Sequence, residues 1–423
     1  MKEILKQIIL DFQETKLPSY TERNIDIPTN TKSITTIIGP RRAGKTYRIY
    51  QLIDSLDIDK ENIVYINFED ERLETKKKTL TTIITAYTEL YPEKNLENTW
   101  FFFDEIHIMP SWQTFIRRLH ETHTQNIFIT GSSSKLLSRE VATQLRGRTL
   151  SYEVLPLSYK EYLSFKDIPL PPSTKNTSKQ NNALQEYIKN GGYPETISYN
   201  TVIRQKTLQS YYDAMLYKDI VERHNVKHPT ALKQILNKIY SSTSNPFSVH
   251  KTYNQLKSQG YKIGKNNVYK YVDHIKEAYA AFFLKKWSAS QQKRDKSQQK
   301  VYVPDTGLVN TVTTKYSQNK GPLYENIVYT ELRRRQYNTF YHSQRHECDF
   351  ILRRDNETKH VVQVCADFTT PKTRQREWQG AIEAAKKHGV EEAIIVGVDQ
   401  EDVKKEDILI KHVLLREFLL TSL

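Results

Sequence analysis

Apolar residues fall into two kinds of run along this chain. The first kind is short and continuous: Ser33-Ile34-Thr35-Thr36-Ile37-Ile38, Ile63-Val64-Tyr65-Ile66-Asn67-Phe68, Trp100-Phe101-Phe102-Phe103 and Asn126-Ile127-Phe128-Ile129-Thr130. Runs of this length without alternation predict strands buried on both faces, as in a parallel sheet. Between them lie helical stripes, one with Ile49, Leu52, Ile53 and Leu56 on a single face, another over Leu80 to Leu90. Strands alternating with helices predict an α/β core. Ahead of the core, Ile4, Ile8, Ile9 and Phe12 mark an amphipathic stripe, expected to be a docking helix within residues 1–30.

Beyond the core the pattern turns helical. Pro171-Pro172-Ser173 to Asn182 is polar and proline-led and predicts a loop or linker. Gly191-Gly192-Tyr193-Pro194 predicts a tight turn, and Leu208 to Val221 a long helix. Leu232, Ile235, Leu236 and Ile239 mark a helix, as do Val249, Tyr253 and Leu256, and again Val268, Tyr271, Val272, Ile275 and Ala278. Two strands, Ala281 to Leu284 and Lys300 to Val303, follow, joined by a basic tip from Gln291. Three helices and a hairpin predict a winged helix. A helix opening at Gly321 then leads to strands near Glu347 to Leu352 and Val361 to Cys365, turned at Asp355-Asn356.

Chemistry enters where the first strand ends. Gly39-Pro40-Arg41-Arg42-Ala43-Gly44-Lys45-Thr46 fits G-x-x-x-x-G-K-[ST] between a predicted strand and a predicted helix. Glycines let backbone N–H groups close around a phosphate, and the helix N-terminus adds partial positive charge. Lys45 is placed to reach the β- and γ-phosphates and Thr46 to ligate Mg²⁺. The aromatic strand ends in Asp104-Glu105, where open parallel sheets bind ligands. Asp104 is expected to hold Mg²⁺ and Glu105 to orient the attacking water. Gly131-Ser132-Ser133-Ser134 ends the next strand; its hydroxyls either sense the γ-phosphate or cap a helix starting near Lys135. Arg146 and Arg148 are either an arginine finger or a surface ion pair.

These motifs, with P-L-S-Y-K-E-Y-L after them, resemble those of prokaryotic AAA-type ATPases that carry a C-terminal restriction-endonuclease-like domain. The resemblance implies ATP as the nucleotide, a helical lid over it, and an Asp and E-x-K site in the last domain. There Asp349 matches, but Gln363 stands for the Glu and Cys365 for the Lys, so no metal-dependent cleavage is expected; Glu325 and Glu347 could partly compensate. His346 and Cys348 read as packing rather than as metal ligands. The expected fold is a P-loop NTPase α/β core (31–155), helical lid (156–228), winged helix (229–304) and nuclease-like α/β domain (305–423).

Charge narrows the partners. The 423 residues carry a formal net charge of +14, favouring a polyanion. Lys262, Lys265, Asn266, Asn267 and Lys270 would line the third helix of the winged helix, and Lys293, Arg294 and Lys296 its wing, meeting double-stranded DNA; the alternative is protein packing. Arg333-Arg334-Arg335 is a second basic run. Two cysteines without C-x-x-C spacing, no signal-peptide core and no membrane-length apolar run predict a soluble cytoplasmic protein, and a homo-oligomer stays open. The expected activity is Mg²⁺-dependent ATP hydrolysis driving conformational change on DNA; an ATP-gated nuclease and a nucleotide-binding scaffold are the alternatives.

Overall fold

The computed structural model describes residues 1–133, 143–171, 173–313 and 320–422; Ser134, Pro172 and the start of the helix expected near Lys135 lie outside them. The described chain divides into two compact units, Met1–Leu155 and Pro156–Leu423.

The first unit is built on five parallel strands: β1 (Ile34–Ile38), β2 (Ile63–Asn67), β3 (Trp100–Asp104), β4 (Ile127–Gly131) and β5 (Thr149–Glu153). They lie in the order β2-β3-β4-β1-β5, so one strand separates the glycine-loop strand from the Asp-Glu strand. β1 and β4 are buried at every position, as their unbroken apolar pattern requires. The helix Lys45–Asp54 turns Ile49, Leu52 and Ile53 onto Ile37, Phe102 and Phe128. Each such side chain, fully buried, contributes about 1.5–3 kcal/mol. The N-terminal stripe lies on the helix Lys2–Glu14, which buries Leu5, Ile8 and Ile9. It packs on the helix Lys77–Leu90, and Phe12 stacks on Tyr65 at 4.5 Å. β5 has no counterpart in the sequence reading: Thr149-Leu150-Ser151-Tyr152-Glu153 is a half-exposed edge strand, and edge positions need no apolar run.

In the second unit the expected linker at Pro171 to Asn182 is instead the start of a 17-residue helix, Thr174–Asn190, capped by Ser173. Its buried stripe, Gln180, Ala183, Leu184, Tyr187 and Ile188, lies mostly beyond the polar first turns that disguised it. The helix Thr201–Ala214 runs into a π-helical stretch, Met215–Glu222. Three helices follow as expected, Pro229–Tyr240, Val249–Ser258 and Lys265–Glu277. They are joined to an antiparallel sheet of β6 (Pro246–Phe247), β7 (Phe282–Leu284) and β8 (Gln299–Tyr302), ordered β6-β8-β7. The basic tip is not a bare loop: Gln291–Lys296 is a short helix capped by Ser290.

The last part is a six-stranded mixed sheet, ordered β13-β14-β12-β11-β10-β9. Its strands are β9 (Asn338–Ser343), β10 (Glu347–Arg354), β11 (Glu357–Val364), β12 (Glu392–Val396), β13 (Val403–Lys405) and β14 (Ile408–Val413). The β10–β11 hairpin turns at Asp355 and Asn356, φ 53° and 63°, the left-handed pair that tight hairpins favour. The helix Pro371–His388 packs Ala381, Ala384 and Ala385 against this sheet. The arginine run serves the interior. Arg333 lies 4.3 Å over Phe282, Arg334 donates to the Pro156 carbonyl at 2.7 Å, and Arg335 donates to Glu331 and to the Phe418 carbonyl.

Candidate active site

The site forms where β1, β3 and β4 end side by side. At the end of β1, Gly39 has φ +149°, and a Cβ there would sit 2.0 Å from the Val154 carbonyl oxygen, so only glycine fits. Gly44, φ +98°, caps the helix that begins at Lys45, and Arg42 is also left-handed at φ 65°. Pro40 and Ala43 are buried, and Arg23 fixes the loop from behind, donating to the carbonyls of Ala43 and Leu155 at 2.7 Å each. Arg41 pairs with Glu69 at 3.0 Å.

Lys45 is 5 % exposed. Its Nζ donates to the carbonyls of Gly39 (3.3 Å) and Pro40 (3.2 Å) and lies 3.4 Å from Glu105 Oε1. Thr46 Oγ1 donates to Asp104 Oδ2 at 2.7 Å, and the Tyr65 hydroxyl donates to the same oxygen at 3.1 Å. Thr130 Oγ1 donates to Asp104 Oδ1 while accepting from the Glu105 amide at 2.9 Å. Burial, then the neighbouring Glu105 charge, raises the Asp104 pKa above the ordinary carboxylate value.

Glu105 takes a left-handed φ of 53° just past β3, which turns it into the site. Its Oε2 accepts from the Ser132 amide at 3.0 Å and lies 3.2 Å from His107 Nδ1. Burial opposes its ionisation, but Lys45, His107 and Arg41 outweigh burial and hold its pKa below the ordinary value. Two adjacent carboxylates are thus pushed in opposite directions, a separation that acid–base sites use.

The predicted residues Gly39, Lys45, Thr46, Asp104 and Glu105 converge here, and Ser132 joins through its amide. Arg146 and Arg148 instead both place Nη1 3.0 Å from Glu121 Oε1. Arg23, Tyr65, His107 and Thr130 escaped the sequence reading. Thr130 alone carried a signal: a hydroxyl at the end of the strand beside Asp104-Glu105.

A second cluster lies in the C-terminal unit. Asp349, Glu325 and Glu347 come together around Lys300, a residue read from sequence only as part of a strand. Gln363 accepts from the Asp349 amide at 3.1 Å and donates to Glu377. Cys365 donates to the Asp367 carbonyl at 3.0 Å, and burial pushes its thiol up to about 11. Cys348 is fully buried, and His346 pairs with Glu383 at 2.9 Å.

A glycine loop on an interior strand of a parallel sheet, with one strand between it and Asp-Glu, is the arrangement of a P-loop ATPase core, and the model of an AAA domain matches residues 31–163. A model of a domain of unknown function matches residues 181–319. Over 411 residues the chain is 37% identical to the uncharacterized protein MJ1544 of Methanocaldococcus jannaschii, covering 94% of this chain and 90% of that protein, and it belongs to that protein's family. An uncharacterized protein of Haemophilus influenzae is 29% identical over 339 residues, 78% of this chain and 82% of its own length. Among solved structures, the Walker-type ATPase of Pyrococcus abyssi is similar at 14% identity and a TM-score of 0.44, covering 74% of this chain and 95% of that one. Among the described residues no helix is long and apolar enough to cross a membrane.

Proposed function

We propose that the chain hydrolyses ATP with Mg²⁺. One observation carries this reading: Lys45, Thr46, Asp104 and Glu105 meet in one buried cluster at the carboxyl ends of β1 and β3. The donor set fits the ligands. An ammonium resting on the loop's own carbonyls can turn to phosphate oxygens, and a hydroxyl–carboxylate pair at 2.7 Å is the hard oxygen set Mg²⁺ takes. Mg²⁺, when bound, neutralises charge on the transferring phosphoryl group. Thr46 and Asp104 would hold it. Lys45 binds the β- and γ-phosphate oxygens beside the loop amides. Glu105, kept ionised, and steadied by the Ser132 amide and His107, orients a water and takes its proton. The choice of ATP over another nucleotide rests on the resemblance of the motifs.

The test is phosphate release from the full chain with ATP and Mg²⁺, beside the Lys45→Ala variant. Turnover is expected in the parent and none in the variant, with unchanged circular dichroism. Equal hydrolysis by both would overturn the assignment.

The partner proposed for this activity is double-stranded DNA, bound with little sequence preference. Supporting it, the three helices and small sheet around β8 have the order of a winged helix, and Lys262, Lys265 and Lys270 are exposed on and just before its third helix. Lys293 and Lys296 are exposed too, whereas Arg294 donates to the Ser288 carbonyl at 2.7 Å and lies over Trp287. The C-terminal sheet is read as a nuclease-like domain without cleavage, because Gln363 and Cys365 replace the acid and the base.

A further inference from the structure

Lys300 is 1 % exposed, on a central strand of a small sheet, a place where an ammonium is costly unless fully paired. Its Nζ lies 2.8 Å from Asp349 Oδ1, 2.8 Å from Glu347 Oε1 and 3.0 Å from Glu325 Oε1. An ammonium has three N–H donors. Each has an anionic oxygen here.

The pocket was not shaped by the lysine alone. Its walls come from the helix Gly321–Arg334 and from β10, and their carboxylates are themselves held. The Tyr302 hydroxyl donates to Glu325 Oε1 at 2.6 Å, and the Val364 amide donates to Asp349 Oδ2 at 3.0 Å. Gln363 bridges the Asp349 amide to a fourth carboxylate, the buried Glu377, which Arg376 also pairs. Three carboxylates against one ammonium leave the cluster formally negative. An oxygen cage with surplus negative charge is what a hard dication takes, and a single lysine only partly neutralises it.

We propose that Lys300 is an internal cation seated in a divalent-metal pocket formed by Glu325, Glu347 and Asp349, so that the intact chain binds no metal there and withdrawing the lysine opens the site to Mn²⁺ or Mg²⁺. The lysine comes from β8 of the three-stranded sheet and the carboxylates from the nuclease-like part, so the seating also links these two parts of the second unit. The inference uses no residue of the phosphate loop and stands whether or not ATP is hydrolysed.

The test uses the nucleotide-free full chain, with bound Mn²⁺ counted by electron paramagnetic resonance. Lys300→Met is expected to bind one Mn²⁺ at least about tenfold more tightly than the parent, as an oxygen cage relieved of its lysine should. Adding Asp349→Asn should abolish the gain. If Lys300→Met does not fold alone, it is refolded with and without Mn²⁺ and followed by circular dichroism. Recovery only with Mn²⁺ supports the proposal, whereas a variant indifferent to Mn²⁺, folded or not, overturns it. Tight Mn²⁺ binding by the parent chain that Asp349→Asn removes also overturns it, since the lysine would then not be the occupant.

Discussion

Lys45 and Lys300 are both buried and both face carboxylates, yet they differ in what holds them. Lys45 rests on two neutral carbonyls beyond 3 Å and meets one carboxylate at 3.4 Å. Lys300 has three carboxylates at 2.8–3.0 Å. A charge held loosely by dipoles can be handed to an arriving anion at small loss. A charge whose donors each meet an anion cannot, because leaving would strand its partners in a low-dielectric interior. Burial of a lysine therefore says little about function until its acceptors are counted by charge and distance.

The comparison can be broken at either end. The largest effect is expected at Glu105, the carboxylate 3.4 Å from Lys45. Glu105→Gln should still bind ATP but hydrolyse it about a hundredfold more slowly, the scale on which a positioned base acts. Single-turnover phosphate release measures this, and a parental rate would move the base elsewhere. At the other end, Lys300→Met without added metal should lower unfolding free energy by about 3–5 kcal/mol, since it leaves buried charges unpaired. Chemical denaturation reads it, and neutralising Glu325 and Asp349 in the same chain (Glu325→Gln, Asp349→Asn) should restore much of the loss.

A third kind of lysine sharpens the contrast. Lys265 and Lys270 are exposed, so their charge is available to a polyanion without rearrangement. Reversing both to Glu should weaken double-stranded DNA binding and flatten its salt dependence by about one unit per lost phosphate contact. Anisotropy across a salt series is the measurement, and an unchanged slope would place the charge elsewhere.

The smallest effect concerns a cation kept out. Burial, then the nearby His342, holds His388 down to about 4 from an ordinary 6.5. The unfolded chain thus binds this proton more readily, so the stability it reflects is full above about pH 6.5 and is lost as pH falls through 4. His388→Gln should flatten that part of a denaturation–pH profile.

The phosphate loop, β3 and Asp104-Glu105 were legible because each is a contiguous signal, and the sheet only had to align their ends. Arg23 was not legible, because its role is to reach the carbonyls of Ala43 and Leu155, and carbonyls leave no mark in side-chain chemistry. The helix Thr174–Asn190 hid behind its polar first turns, and β5 behind its exposed edge position. Lys300 was unreadable for a further reason: its acceptors stand 25 to 49 residues away in the chain, on two other elements. Asp349 could be singled out by pattern, but what neutralises it could not.

Asp305 carries a consequence for how the chain is made. Its carboxylate caps the helix Thr306–Val312 and accepts from the Gly192 amide at 2.6 Å, across 113 residues. Arg334 reaches back to the carbonyl of Pro156 across 178, and Arg416 to Gln180 across 236. The first unit has a long reach of its own, Arg23 to the Leu155 carbonyl across 132 residues, but that contact and the sheet can both form once Leu155 has been synthesised. Closing long loops is entropically slow, and domains made first on the ribosome fold first. Translation itself therefore sets an order. The nucleotide-loop unit can settle while the ribosome is still reading the remainder, whereas the second unit must wait until Arg416 has been made, and a chain stopped before it would leave that unit without a far partner.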